Sequence, residues 1–134
     1  MTIYGLFVEH FQAEQVLWRG NRGRVYFYQS EIPYDPPTQS EWMSRTGGRG
    51  FAAYKVADEV RQHEAWGLGI YSVFRQPDVL LDHAIEAPAA EGVRFHHMIT
   101  VCLVDKGSIE HVINALGPPA RCKETNTATL NDYP

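Results

Sequence analysis

The sequence predicts an all-β chain wound as a solenoid, and three observations carry that expectation. Strand-forming runs recur at short intervals, separated by turn residues at Gly20-Asn21, Gly47-Gly48, Gln76-Pro77-Asp78 and Asp105-Lys106-Gly107. The runs Ile70-Tyr-Ser-Val-Phe74 and Met98-Ile-Thr-Val-Cys-Leu103 are continuous rather than alternating, as in strands covered on much of their surface. Hairpin signals of the Asn-Gly type are scarce, which weighs against a sandwich or a barrel. No strict internal repeat is present.

Taken in order, Ile3–His10, Gln15–Trp18 and Arg24–Ser30 are expected as the strands of a first coil. Phe51–Ala57, Leu68–Phe74 and Val79–Ile85 give a second, and Val93–Leu103 with Ile109–Asn114 most of a third. Lys55–Glu64 carries Val56 and Val60 at helical spacing, but the segment is short for a helix and reads as strand plus loop. Residues 31–50, rich in Pro, Gly and Arg, are expected to project as a loop from one edge. The coils span residues 1–117. Residues 118–134, opening on Pro118-Pro119 and continuing through Thr125–Thr129, have little core-forming content and are expected as a loose tail or one lying across another surface. Ile3 begins a strand directly after Met1, with no capping element. A solenoid must cover its ends, so the chain reads as a piece of a longer one.

Composition narrows the partners. At 134 residues the chain is one domain, and 44% hydrophobic residues can fill a core. A net charge of -4, with Arg19, Arg22 and Arg24 interleaved among glycine and aromatics, gives no basis for a nucleic-acid partner. The apolar stretches are far shorter than a membrane span, so no membrane partner is expected. Tyr4, Glu9 and His10 interrupt any apolar region behind Met1, so no secretory leader is read there. Cys102 and Cys122 are too few for a disulfide framework. Their redox state is open, with Cys102 in an apolar run read as a buried thiol.

Chemistry points to the segment Val25–Pro37. Val25, Tyr26, Phe27 and Tyr28 favour a strand, and Pro33, Pro36 and Pro37 cannot continue it, so it should end near Glu31. One carboxylic acid is thereby set at the mouth of a stiff loop, beside aromatics. The competing reading is an edge-strand glutamate that only discourages aggregation. Other constellations are weaker. His96 and His97 are adjacent on a strand and diverge, and His63-Glu64 lacks metal-ligand spacing, so neither metal nor cofactor is expected. Gly47-Gly48-Arg49-Gly50 lacks the lysine of a phosphate loop, and Ser30 and Ser72 lack a nucleophile elbow.

Four blocks, in this order and spacing, carry a family resemblance. They are Val8-Glu-His-Phe-Gln12, Tyr28-Gln-Ser-Glu-Ile-Pro-Tyr34, Trp66-Gly-Leu-Gly-Ile-Tyr-Ser-Val-Phe74 and the closing Val93–Asn114 segment. Together they resemble the C-terminal part of glycoside hydrolase family 55, a bacterial branch of those β-1,3-glucanases. The resemblance implies a right-handed parallel β-helix of the pectin-lyase-like kind, a β-1,3-glucan partner, the upstream coils as a further partner, and an extracellular setting. It also implies inverting, exo-type hydrolysis with Glu31 as general acid. Inversion needs a water activated opposite that acid, with roughly 6.5–9.5 Å between the groups where the base is a carboxylate. To act near neutral pH, Glu31 must hold its proton by desolvation against Tyr28, Tyr34 or a bound sugar.

The base side is expected to come from Glu9, Gln29 or Glu64, with much of the network upstream of Met1. One of the adjacent Glu9-His10 pair is expected to face solvent. Substrate contacts are assigned to Tyr34, Trp42, His10, Glu64 and Trp66, with Trp18 as a further flat face for a sugar ring. Trp42, in the inserted loop, is read as the aromatic least committed to the core. Phe11 and Asp35 depart from the fungal pattern, which has a second histidine and often an aromatic there, and a changed substrate preference is one consequence. The alternative class is a non-catalytic, carbohydrate-binding or structural solenoid segment.

Overall fold

The computed structural model describes residues Met1–Pro134 and contains ten strands, one 3-10 turn at Gln39–Glu41 and no α-helix. The strands are β1 (Thr2–Phe7), β2 (Val16–Trp18), β3 (Gly23–Glu31), β4 (Tyr54–Val56), β5 (His63–Ser72), β6 (Leu80–Glu86), β7 (Val93–Cys102), β8 (Ser108–Ile113), β9 (Ala120–Arg121) and β10 (Thr127–Tyr133). Strands β1, β3, β5 and β7 lie parallel in one sheet, and β2, β4, β6 and β8 lie parallel in a second. The chain changes sheet after each of these strands, so it makes four passes through both sheets rather than the three coils expected. The eight expected strands are all present as β1–β8, but two of them rather than three make up each pass, and β5 begins at His63 rather than Leu68.

Gly67 is accommodated because every long strand of the first sheet bends at that level. Gly5, Phe27, Gly67 and His97 all take left-handed backbone angles, with φ of 73°, 68°, 68° and 56°. They occupy one column of the register, between the row Tyr4, Tyr26, Trp66, His96 and the row Leu6, Tyr28, Leu68, Met98. The bend breaks the simple alternation of a strand. Val25 and Tyr28 therefore both point inward and are fully buried, while Phe27 is turned out. A single core of 26 buried residues links the inner faces of both sheets, so the chain has one hydrophobic interior despite its strand-by-strand construction.

Residues 118–134 are not a loose tail. Strand β10 closes the first sheet antiparallel to β7, pairing Ala128 with Thr100 and Tyr133 with Phe95, and β9 closes the second against β8. Ala128 and Tyr133 are buried, and Asn114 Nδ2 donates to the Tyr133 hydroxyl at 3.0 Å. The backbone ladder for this last strand comes from β7, a partner distant in sequence, and Leu130 packs against the core beside Ala128 and Tyr133. Cys102 and Cys122 form a disulfide that ties the end of β7 to the turn after β9. Cys102 is therefore buried but is not a thiol.

The loop that was expected to project is folded down instead. Trp42 is 2% exposed, its Nε1 donates to the Gln12 carbonyl at 3.1 Å, and its ring meets Phe74 edge-on. Gly50, at φ 77°, lets the backbone lie against that ring. A Cβ there would come within 2.5 Å of Trp42 Cζ3.

Candidate active site

Glu31 ends β3, with Ser30 and Ile32 buried on either side of it and its own side chain 25% exposed. Its backbone is held from several directions. The His10 amide and Gln15 Nε2 both donate to the Glu31 carbonyl, at 2.9 and 2.8 Å, and the Ile32 amide donates to the Tyr71 carbonyl at 3.0 Å. Pro33 then stiffens the turn that returns Tyr34. The Arg75 amide fixes that turn by donating to the Tyr34 carbonyl at 2.9 Å.

The carboxyl is oriented through one oxygen only. The Tyr34 hydroxyl donates to Glu31 Oε2, and His10 Nε2 lies 3.5 Å from the same atom. The His10 and Tyr34 rings meet edge-on, 4.5 Å between centroids. Oε1 makes no bond to the protein, so one oxygen is anchored and the other is left without a partner. The Tyr34 phenol is pushed up to about 12, chiefly by its hydrogen bond to Glu31, with burial and the charges of Glu31 and Glu9 adding and Arg75 opposing. Glu9 therefore belongs to the same electrostatic neighbourhood. Gln12 Nε2 donates to Asp35 Oδ1 at 3.1 Å and fastens the far side of the turn.

Three comparisons bear on this arrangement. Residues 1–31 match the LAM55 pectate lyase-like domain. An exo-β-1,3-glucanase of Streptomyces sp. (strain SirexAA-E / ActE) is 43% identical over 131 residues, which is 97% of this chain and 22% of that protein. The structure of sacteLam55A from Streptomyces sp. SirexAA-E superposes with a TM-score of 0.94 at 42% identity, covering 99% of this chain and 24% of that one. A glutamate-to-alanine variant of sacteLam55A in complex with glucose gives the same TM-score at 41% identity and the same coverage. The chain resembles glycoside hydrolase family 55. It spans about a quarter of the length of the Lam55 proteins it matches.

Within this Lam55-like chain the expected residues separate into two groups. His10, Glu31 and Tyr34 are brought together, Glu9 is close enough to act on Tyr34, and Gln29 projects from β3 one outward position before Glu31. Glu64 is elsewhere. It pairs with Arg24 at 3.4 Å, at the opposite end of the sheet and roughly 20 Å along the strands from Glu31. The clefts around Arg22, Arg24 and Arg94 do not include Glu31.

The aromatics differ most from expectation. Tyr28 is fully buried with its hydroxyl donating to the Ala53 carbonyl at 2.9 Å, so it does not cover Glu31. Trp42 is core, because the loop folds down onto Phe74. Trp66 has Tyr26 stacked on one face at 4.7 Å and His96 on the other at 5.4 Å, which leaves no ring face for a sugar. Trp18 packs against His63, itself buried and bonded to the Tyr54 hydroxyl at 2.9 Å.

One neighbour of Glu31 was missed. Tyr71 is its Cα partner on β5, half-buried, with its ring lying back across Gly69. The signal was the Gly69-Ile70-Tyr71 spacing, in which a glycine two positions earlier on the same face leaves room for a ring. It becomes legible only once β3 and β5 are in register.

Proposed function

We propose that this chain is a segment of a β-1,3-glucan hydrolase of family 55, wound as the closing coils of a right-handed parallel β-helix, with Glu31 as general acid in the complete enzyme. The observation that carries the reading is the asymmetric holding of Glu31. Oε2 is fixed by Tyr34 and His10, and Oε1 is left to deliver a proton to a departing glycosidic oxygen. Glu9 and Gln29 are the candidates within this chain for helping to hold the attacking water. The relative's being an exo-β-1,3-glucanase and the glucose bound to a glutamate-to-alanine variant support a carbohydrate partner. The disulfide supports an oxidising, extracellular setting.

A second reading is favoured by the chain's spanning only about a quarter of its relatives' length: the chain by itself binds glucan without cleaving it. Reducing-sugar release from laminarin separates the two, measured for this chain, for the longest form its gene encodes, and for Glu31→Gln in each. Turnover in the long form that disappears in Glu31→Gln while affinity remains supports the acid. Equal turnover in Glu31→Gln sinks it, and binding without turnover in every form leaves only the binding module.

A further inference from the structure

Phe27 is an unexpected residue for the bend of β3. At φ 68° a bulky side chain is strained, and the neighbouring strands place glycine, Gly5 and Gly67, at the same column. Burial does not offset that strain, because Phe27 is 57% exposed. Strain combined with exposure points to a use other than folding.

The surroundings indicate what the use is. Phe7, 61% exposed, packs its ring 5.6 Å from that of Phe27 and lies over Gly5. Phe7 is also the Cα partner of Gln29 on the β1 side, and Gly69 is its partner on the β5 side. The Tyr71 ring covers Gly69 so closely that a Cβ there would lie 2.9 Å from the Tyr71 hydroxyl oxygen. The outward amide of Gln29 is thus flanked by Phe7 on one side and Tyr71 on the other. The hydroxyls of Tyr28, Tyr34, Tyr54 and Tyr133 bond protein groups, whereas that of Tyr71, like those of Tyr4 and Tyr26, bonds none and is free to meet a ligand. From Glu31 through Gln29 to Phe27 the strip is roughly 13 Å long, enough for two to three sugar rings.

We propose that this strip is a glucan-binding track, on which sugar rings stack against Tyr71, Phe7 and Phe27 while their hydroxyls bond Gln29 and the Tyr71 phenol. It rests on the carbohydrate reading of Glu31 and extends that site along β3. β-Linked glucose presents C–H-rich faces to aromatic rings and equatorial hydroxyls at its edges, which suits alternating flat and polar groups. Phe27 is the distal platform, and its left-handed backbone turns the ring outward.

Calorimetric titration of the whole chain with β-1,3-linked glucose oligomers, from disaccharide to pentasaccharide, tests this. Affinity is expected to rise with length in the parent. Phe27→Gly suits the same backbone angle without strain, so it should melt no lower than the parent. It should bind the disaccharide equally and lose roughly 3- to 10-fold on the pentasaccharide. Tyr71→Ala should weaken every length. Length-independent affinity in the parent, or parental affinity of Phe27→Gly for every oligomer, overturns the track and leaves the reading of Glu31 standing. A folded parent that binds no oligomer at all overturns the track as well, and the role of Glu31 is then decided by turnover of the long form alone.

Discussion

The Tyr34 hydroxyl donates to the same carboxyl oxygen of Glu31 that His10 approaches, three residues and one proline turn beyond the strand end. A side chain with one oxygen anchored has a defined direction for the other, and direction is what proton delivery to a bound sugar requires. Replacing Tyr34 by Phe keeps the ring and removes the donor. Turnover in the long form should fall about 10- to 100-fold with little change in affinity. A larger loss of affinity than of turnover would assign Tyr34 to sugar binding instead.

The same pair can be read without an assay of activity. Tyr34 is pushed up to about 12 first by its bond to Glu31. Glu31→Gln removes the charged acceptor, so the Tyr34 phenol should titrate back toward its ordinary value of 10.0. Ring-proton NMR between pH 9 and pH 12 (about three units, the working range for phenols) follows it, and an unmoved midpoint would disprove the coupling.

Stability should depend on pH through His63. It is 1% exposed, and burial lowers it from 6.5 to about 4. Above the unfolded value neither state is charged, so His63 is neutral to stability there. As pH falls from 6.5 toward 4 the unfolded chain takes up a proton that the folded chain refuses, and about 3 kcal/mol is lost. Asp82 and Glu110 feel burial first, but bonds from Arg49 to the one, and from Ser108 and Arg121 to the other, outweigh it and hold both below the usual range. Their contribution fades only at lower pH. Urea melts at several pH values should show a steep decline in that upper window, flattened in His63→Gln; an unchanged slope in the variant would locate the effect elsewhere.

Gly50 and Trp42 determine whether the 31–50 loop stays down. Gly50→Ala meets both an unfavourable φ and the Trp42 ring, and Trp42→Ala empties a core position at a cost of about 3–5 kcal/mol. Either change should increase protease cleavage within residues 36–48 before the rest of the chain unfolds. Cleavage spread evenly over the chain would mean that the loop is not a separately anchored unit.

Closure of the C-terminal end should depend on the disulfide. Cysteines 20 apart close a loop whose cross-link contributes about 3 kcal/mol in the chain-entropy picture. Reduction, or Cys102→Ala with Cys122→Ala, should lower the melting temperature and speed amide exchange in β9 more than in β3. Equal exchange in both strands would show the bond to be incidental to the cap.

Much of this molecule is written locally. The strand at residues 23–31 and its stop before Pro33 follow from β-prone side chains and a residue that cannot extend a ladder, so the position of Glu31 at the strand end was legible in the sequence. The four blocks likewise carried the family resemblance. Tertiary structure decided what depends on register and on the inner or outer sense of a side chain. The column of bends made Tyr28 a core residue and turned Phe27 outward. The stack of Tyr26, Trp66 and His96 closed both faces of Trp66, and the folded loop buried Trp42. Glu64 was separated from Glu31 and Tyr71 placed beside it by pairing between strands distant in sequence. β10 exists because β7 offers it a ladder. Local propensity specifies where a strand stops, whereas each of these placements is a relation between segments that no single segment contains.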